Sequence, residues 1–209
     1  MIAIMHPIKQ QICNQYNFLS SMLERFPSLL EDWIQKQEEE IEQIAKEEAK
    51  GDMEVYSSIK RSSMSFLEEC DDEEQLFNQS MLIMVFSYYE SFLCRLAKEC
   101  DAKSARPSVI AEKKGDTLDE ELIKIAVFLH ERILPLRNQL CHNNNGTLFS
   151  RNAEDEKAIE ILKEMKYISV DDGRISIIDK SFIQKTLESE YKLLLRLANI
   201  CGFRTKFIV

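Results

Sequence analysis

Arg137, Asn138 and His142 lie within six consecutive positions of the chain, and Asn143 follows directly. An arginine guanidinium is a permanent cation with five N–H donors, and its planar shape suits a phosphate group. A histidine titrates near neutral pH and can accept or donate a proton. These residue types together predict a site that binds a phosphodiester and cleaves it without a metal ion.

The spacing of these residues is compatible with such chemistry at a helix end. On an ideal helix, Arg137 and His142 are about 140° apart around the axis, with Asn138 between them, and a frayed or capped last turn can bring the three side chains to one anion. In cleavage of RNA by its own 2′-hydroxyl group, His142 would transfer the proton, an effect of about 10²- to 10⁴-fold. Arg137 would stabilise charge on the phosphate oxygens, and Asn138 would orient the imidazole or the phosphate.

A structural role for the same residues is also open. A cationic histidine at a helix C-terminus interacts favourably with the helix dipole, and Arg137 could pair with an acidic residue of another helix. Glu90 is the candidate partner, because it lies at the border of the apolar stripe of the most apolar predicted helix. A carboxylate there needs a partner, unless the side chain of Glu90 points to solvent.

Helical spacing of apolar residues predicts an all-α helical bundle. Four helices are expected in the first half of the chain, at residues 8–25, 28–50, 53–70 and 73–100, the first ending before Pro27. The second and third form an acidic helical hairpin packed on the core. The fourth should be surrounded by other helices, with an apolar stripe that consists of Leu82, Val85, Phe86, Tyr89, Leu93 and Leu96.

The helix that leads to the site has its own start and stop signals. Thr117-x-x-Glu120 has the pattern of a capping box and predicts a helix start. Pro135 removes a backbone donor and predicts a kink or a restart of the helix. The segment 136–142 therefore takes its own direction, and residues 143–146, Asn-Asn-Asn-Gly, end it because Asn and Gly adopt left-handed dihedrals at low cost.

One small β-hairpin is predicted near the C-terminus, over residues 167–178, around the two-residue turn Asp172-Gly173. Counting outward from this turn places apolar pairs on one face and polar pairs on the other, so the register is self-consistent. The predicted pairs are Asp171–Arg174, Val170–Ile175, Ser169–Ser176 and Ile168–Ile177. Further helices are expected at 152–165 and from Asp179 or Ser181 to Cys201.

The net charge of −9 is distributed unevenly along the chain. Residues 31–74 hold 16 acidic and 5 basic residues, whereas the rest of the chain is close to neutral. The acidity is therefore local and says little about the region of Arg137. No strong basic patch indicates a nucleic-acid surface either, so charge alone leaves the partner undecided.

The six cysteines contain no Cys-x-x-Cys pair, which favours small, reduced core residues in a cytoplasmic protein. Residues 1–10 lack the pattern of a secretion signal, and the longest apolar run, 81–86, is too short to span a bilayer. The adjacent pairs His130-Glu131 and Cys141-His142 do not have metal-ligand spacing. We therefore expect no metal, no cofactor and no membrane partner.

Arg137-Asn138-x-x-x-His142 resembles the Arg-x(4–6)-His motif of the HEPN superfamily, in which a polar residue commonly follows the arginine. The trailing Asn143 and its neighbours are also similar to members of that group. Glu90, on the preceding long helix, is similar to the acidic or polar position that accompanies the motif. The resemblance covers roughly residues 73–200.

The resemblance implies a HEPN-type helical core over residues 73–202, preceded by N-terminal helices at 1–72 and followed by a short tail at 203–209. It also implies a metal-independent endoribonuclease whose motif is paired across a homodimer, often in a toxin–antitoxin or phage-defence system with an antitoxin protein as partner. Arg137, Asn138 and His142 would be catalytic, with Glu90 and Asn143 in support. Other members of this superfamily bind RNA, nucleotides or proteins without cutting, which keeps a non-catalytic module as the alternative.

Overall fold

The computed structural model describes the backbone of residues 2–142 and 153–208, and the side chains of residues 4–63, 74–141 and 153–205. The described chain is mostly helical, with a small antiparallel hairpin near the C-terminus, as predicted. It divides into two compact units. Met1–Ser20 and Gln79–Val209 form the first, and Ser21–Asn78 form the second.

The helices and strands have the following bounds. The helices are α1 (Pro7–Ala49), α2 (Met53–Glu99), α3 (Pro107–Lys113), α4 (Glu120–Phe128), α5 (Leu134–His142), α6 (Ala153–Glu164) and α7 (Ser181–Ile200). A π-helical segment, Leu129–Ile133, joins α4 to α5. The strands are β1 (Ile2–Ile4), β2 (Ile168–Asp171), β3 (Arg174–Ile177) and β4 (Lys206–Ile208).

Two of the predicted helix boundaries are wrong. Helix α1 continues through Pro27, although an interior proline removes one backbone hydrogen bond and costs about 3 kcal/mol. Helix α2 continues through the acidic residues 68–74, where the glutamates favour helix and only local charge repulsion opposes it. In both places the residues on either side form helix, and the helix continues between them. The prediction considered only the proline and the acidic residues themselves.

The turn between α1 and α2 was predicted correctly. Lys50 and Gly51 have φ of 47° and 95°, and a left-handed residue of this kind commonly ends a helix. The carboxylate of Asp52 then accepts hydrogen bonds from the backbone N–H groups of Glu54 (2.8 Å) and Val55 (3.3 Å). Asp52 thereby satisfies donors that the first turn of α2 leaves free.

The core of the first unit is built around the C-terminal half of α2. All six residues of its predicted apolar stripe are buried, and so are Met81 and Tyr88, whereas Met84 is 38% exposed. The hydroxyl of Tyr88 donates to the carbonyl oxygen of Ile12 at 3.1 Å. Helix α7 contributes a second set of fully buried apolar side chains, which includes Phe182, Ile183, Leu187, Leu194 and Leu197.

The predicted hairpin is confirmed residue by residue. Strands β2 and β3 pair in the expected register, and Asp172 and Gly173 both have positive φ, 49° and 79°, as a type I′ turn requires. A second two-stranded sheet was not predicted. In it β1 pairs with β4 in antiparallel fashion, so part of the segment 203–209 is a strand. Three-residue strands are too short to show a period of two.

Two further observations concern the cysteines and membranes. Cys100 and Cys201 form a disulfide, so the prediction of reduced cysteines was wrong for this pair. Cys94 and Cys141 are free but exposed, so the prediction of core positions was wrong for them. Among the described residues, no helix is both long enough and apolar enough to cross a bilayer.

In the second unit, one carboxylate joins the two arms of the helical hairpin. Glu42 of α1 accepts hydrogen bonds from the Tyr56 hydroxyl at 2.7 and 2.9 Å. It also pairs with Lys60 of α2 at 2.8 Å and with Lys46, one turn along α1, at 3.1 Å. The hydrogen bonds from Lys60 and Tyr56 lower the pKa of Glu42 from its ordinary value of 4.5 to about 2.

We expect Glu42→Gln to loosen this hairpin. A depressed pKa means that Glu42 stabilises the fold above about pH 4.5 and that this effect is lost as the pH falls toward 2. Amide hydrogen exchange in residues 53–63 should therefore be severalfold faster in the variant at pH 7. The control is Glu38→Gln, an exposed glutamate on α1. Equal exchange in the two variants would show that Glu42 does not hold the arms together.

Candidate functional site

Arg137 is positioned by a helix that changes its hydrogen-bonding pattern just before it. Asp119 caps α4, because its carboxylate accepts from the backbone N–H of Leu122 at 2.9 Å. The predicted cap at Thr117 was therefore two residues early. At the end of the π segment, the N–H of Leu134 bonds to the carbonyl oxygen of Leu129. Pro135 follows the π segment as the second residue of α5, and the helical run continues through it without a break. In place of the predicted kink or restart, the structure shows a change in hydrogen-bonding pattern just before the proline.

The guanidinium group of Arg137 is held by three neighbours. It pairs with Glu90 of α2, and its Nη1 donates to Asn138 Oδ1 at 2.9 Å. Its central carbon lies 5.3 Å from the centre of the Phe86 ring, within the range of a cation–π contact. The predicted pairing of Arg137 with Glu90 is therefore confirmed.

The two partners of this ion pair differ in exposure. The Arg137 side chain is 18% exposed, whereas that of Glu90 is 42% exposed. The Nε of Arg137 is buried and has no hydrogen-bond partner among the described residues. The cation is thus fixed in place while some of its hydrogen-bonding capacity is unused.

The other predicted site residues are described to different extents. Asn138 accepts a hydrogen bond from Arg137, a contact that was not predicted, and its predicted role in orienting the imidazole or the phosphate stays a prediction. The backbone of α5 is described as far as His142. The side chain of His142 and all of Asn143 lie outside the described residues, so their roles stay predictions.

Sequence analysis missed a buried carboxyl group beside this site. Glu190 of α7 is 0% exposed, and neither of its carboxyl oxygens has a hydrogen-bond partner among the described residues. Burial raises its pKa well above the ordinary value of 4.5, and the nearby charge of Glu90 raises it further. Glu190 is therefore neutral over a range of pH in which an exposed glutamate is ionised.

A signal for Glu190 is present in the sequence. Ile183, Leu187, Glu190, Leu194 and Leu197 follow one another at alternating spacings of four and three residues, the pattern of one helix face. The third position of that stripe is occupied by Glu190, which is unusual because a glutamate is almost never fully buried unless it is paired.

Two tyrosines of α2 share the electrostatic environment of Glu190. Burial raises the pKa of Tyr88 and of Tyr89, and the charge of Glu190, when present, acts in the same direction. Tyr88 and Tyr89 are therefore protonated near neutral pH, and the pKa of Glu190 is displaced toward the neutral acid.

Comparisons of the chain with protein-family models, with curated proteins and with solved structures found no match. Within the described residues, no group of three or more His, Cys, Asp or Glu side chains is arranged to hold a metal ion.

We expect Glu190→Gln to stabilise the protein at neutral pH. Because the pKa of Glu190 is raised on folding, its contribution to stability is full below about pH 4.5 and is lost as the pH rises toward the folded-state pKa. The amide has the same shape and cannot ionise. The melting temperature of the variant should exceed that of the wild type at pH 7 and approach it near pH 4, by about 2–4 °C for each kcal/mol gained.

The matched control is Glu188→Gln, two positions away on the exposed side of α7. It should show no such pH-dependent difference. A Glu190→Gln protein that is less stable than the wild type at pH 7 would mean that Glu190 is ionised in the folded protein and has a cationic partner.

Removing the partner of Arg137 should cost more than removing a partner at the surface. Glu90→Ala leaves a mostly buried guanidinium without its carboxylate, which we expect to lower the free energy of unfolding by about 2 kcal/mol. Glu160→Ala breaks an exposed pair with Lys163 of 3.0 Å and should cost less than about 1 kcal/mol. Urea unfolding of both variants measures the difference, and equal losses would argue that solvent replaces Glu90 without penalty.

Proposed function

We propose that the protein is a HEPN-like endoribonuclease that cleaves RNA without a metal ion and acts in a toxin or phage-defence system. The observation that carries the proposal is the position of Arg137. Its guanidinium is fixed by Glu90 and Asn138 five residues before His142, at the end of α5. Arg137 of the motif is therefore in contact with Glu90, the acidic residue on the preceding long helix.

A fixed guanidinium supports phosphate chemistry because donors that are already oriented need no reorganisation during the reaction. Arg137 has five N–H donors, and the contacts with Glu90 and Asn138 do not use all of them. Its Nε is buried, but the N–H groups left over on the two terminal nitrogens can stabilise the negative charge that develops on the phosphate oxygens. Asn138 then positions the arginine and does not need to touch the substrate.

The proposed reaction is an internal transfer within the RNA. The 2′-oxygen attacks the adjacent phosphorus, the bond from phosphorus to the 5′-oxygen breaks, and the products carry a 2′,3′-cyclic phosphate and a 5′-hydroxyl. One group accepts the proton of the 2′-hydroxyl and another donates a proton to the 5′-oxygen. His142 supplies one of these roles, and His142 of a second copy supplies the other if the motif faces pair in a homodimer.

A non-catalytic module that binds RNA, a nucleotide or a protein is the second candidate. The burial of Arg137 favours it, since a side chain that is only 18% exposed and already paired is also what a purely structural arginine would show. Such a module would use the same helices and would not transfer protons through His142.

RNA cleavage in the presence of EDTA distinguishes the two functions. We expect the wild type to cleave single-stranded RNA to products with 2′,3′-cyclic phosphate ends. His142→Ala should lose the cleavage by at least about 10²-fold, and Arg137→Lys should lose it too, because lysine lacks the planar fork. His6→Ala, prepared in the same way, controls for contaminating nucleases.

The melting temperatures of the same proteins complete the test. Loss of cleavage by Arg137→Lys at an unchanged melting temperature supports a catalytic arginine. A lower melting temperature in Arg137→Ala, together with no cleavage by the wild type on several RNAs, supports the binding module.

A further inference from the structure

A cavity of about 240 Å³ lies beside the Glu90–Arg137 pair. It is bounded by α2, by the segment before α3, and by α4, the π segment and the start of α5. Phe86 and Glu90 line it, and both also contact the guanidinium of Arg137. Two residues therefore belong both to the lining of the cavity and to the surroundings of Arg137, the proposed phosphate-binding residue.

The walls of the cavity are mostly apolar and partly aromatic. Phe86, Tyr89, Leu93 and Leu134 supply apolar surface, and three of these side chains are buried in the core. The volume is below the roughly 300–1,000 Å³ of pockets for drug-sized ligands. A single flat ring system is the size of group that such a cavity accepts.

A few polar groups converge on the same cavity. Glu90 presents a carboxylate whose Oε2 is taken by Arg137, which leaves Oε1 as an acceptor. Arg106 and His130, both exposed, also line the cavity, and their side chains can bind a phosphate group. Apolar walls with one acceptor at the edge and basic groups at the mouth suit a nucleobase that carries an amino group and is attached to a phosphate.

We propose that this cavity binds one unpaired base of single-stranded RNA, next to the phosphate held by Arg137. The inference rests on the proposed function and names the substrate class for it. Proteins that read RNA commonly take an unstacked base against aromatic side chains and hydrogen-bond to its edge. The free carboxylate oxygen of Glu90 favours cytosine, which offers an amino group, over uracil, which offers a carbonyl oxygen at the same position.

Titration calorimetry with three small probes tests the cavity directly. Cytidine 5′-monophosphate should bind the wild type at least about tenfold more tightly than ribose 5-phosphate, which lacks the base. It should also bind more tightly than uridine 5′-monophosphate. Equal affinity for the cytidine nucleotide and ribose 5-phosphate would overturn the proposal without any variant.

A pair of neighbouring substitutions locates the binding. Ala126 lines the cavity, and Ala126→Phe should fill it and reduce the affinity for cytidine 5′-monophosphate to that for ribose 5-phosphate. Val127 is 45% exposed and lies outside the cavity, so Val127→Phe should bind as the wild type does. Wild-type affinity in a folded Ala126→Phe protein would show that the base binds elsewhere.

A competition experiment shows whether the cavity binds RNA or only free nucleotides. A single-stranded cytidine oligoribonucleotide is added to His142→Ala that has bound cytidine 5′-monophosphate. Displacement of the mononucleotide supports an RNA base, and failure to displace it means that the cavity takes free nucleotides only, which overturns the assignment. The cleavage assay in EDTA gives an independent readout. Cleavage without nucleotide binding would retain the nuclease and reject the cavity, whereas nucleotide binding without cleavage would retain the cavity and reject the nuclease.

Discussion

The arrangement of the site depends on the ion pair between Arg137 and Glu90. A guanidinium that is only 18% exposed loses most of its hydration, and that loss must be offset by contacts with good geometry. The carboxylate of Glu90, the amide of Asn138 and the ring of Phe86 provide those contacts. Because Glu90 and Phe86 belong to α2 and Arg137 belongs to α5, the pair also fixes these two helices against each other.

Glu190 adds a constraint that acts on the same pair. Glu90 lies close enough to Glu190 for its charge to raise the pKa of Glu190, because like charges in a region of low polarity disfavour each other. The structure separates their states by environment: Glu90 is partly exposed and paired with Arg137, whereas Glu190 is buried without a hydrogen-bond partner. The charge of Glu90 therefore favours the neutral form of Glu190, while Glu90 itself is paired with Arg137.

Sequence reasoning succeeded where local rules and packing agree, and failed where neighbours override a local signal. The hairpin register follows from Asp172-Gly173 and strict alternation, and the buried stripe of α2 follows from helical spacing. Pro27 was read as a stop, but the helix on both sides continues through it. The pairing of Arg137 with Glu90 was predictable because a border carboxylate needs a cation. The burial of Glu190 was not predicted, since it depends on which face of α7 other parts of the fold cover completely.

The burial of Arg137 does not by itself decide between catalysis and structure, and the number of its donors explains why. A lysine in the same place would use its one charged group on Glu90 and have little left for a ligand. An arginine can bind Glu90 and Asn138 through its terminal nitrogens and still present further N–H groups in a fixed direction. A phosphate that reaches them would meet oriented donors whose desolvation has already occurred during folding. The same contacts that stabilise the fold would therefore prepare this cation for the anionic transition state of the proposed reaction.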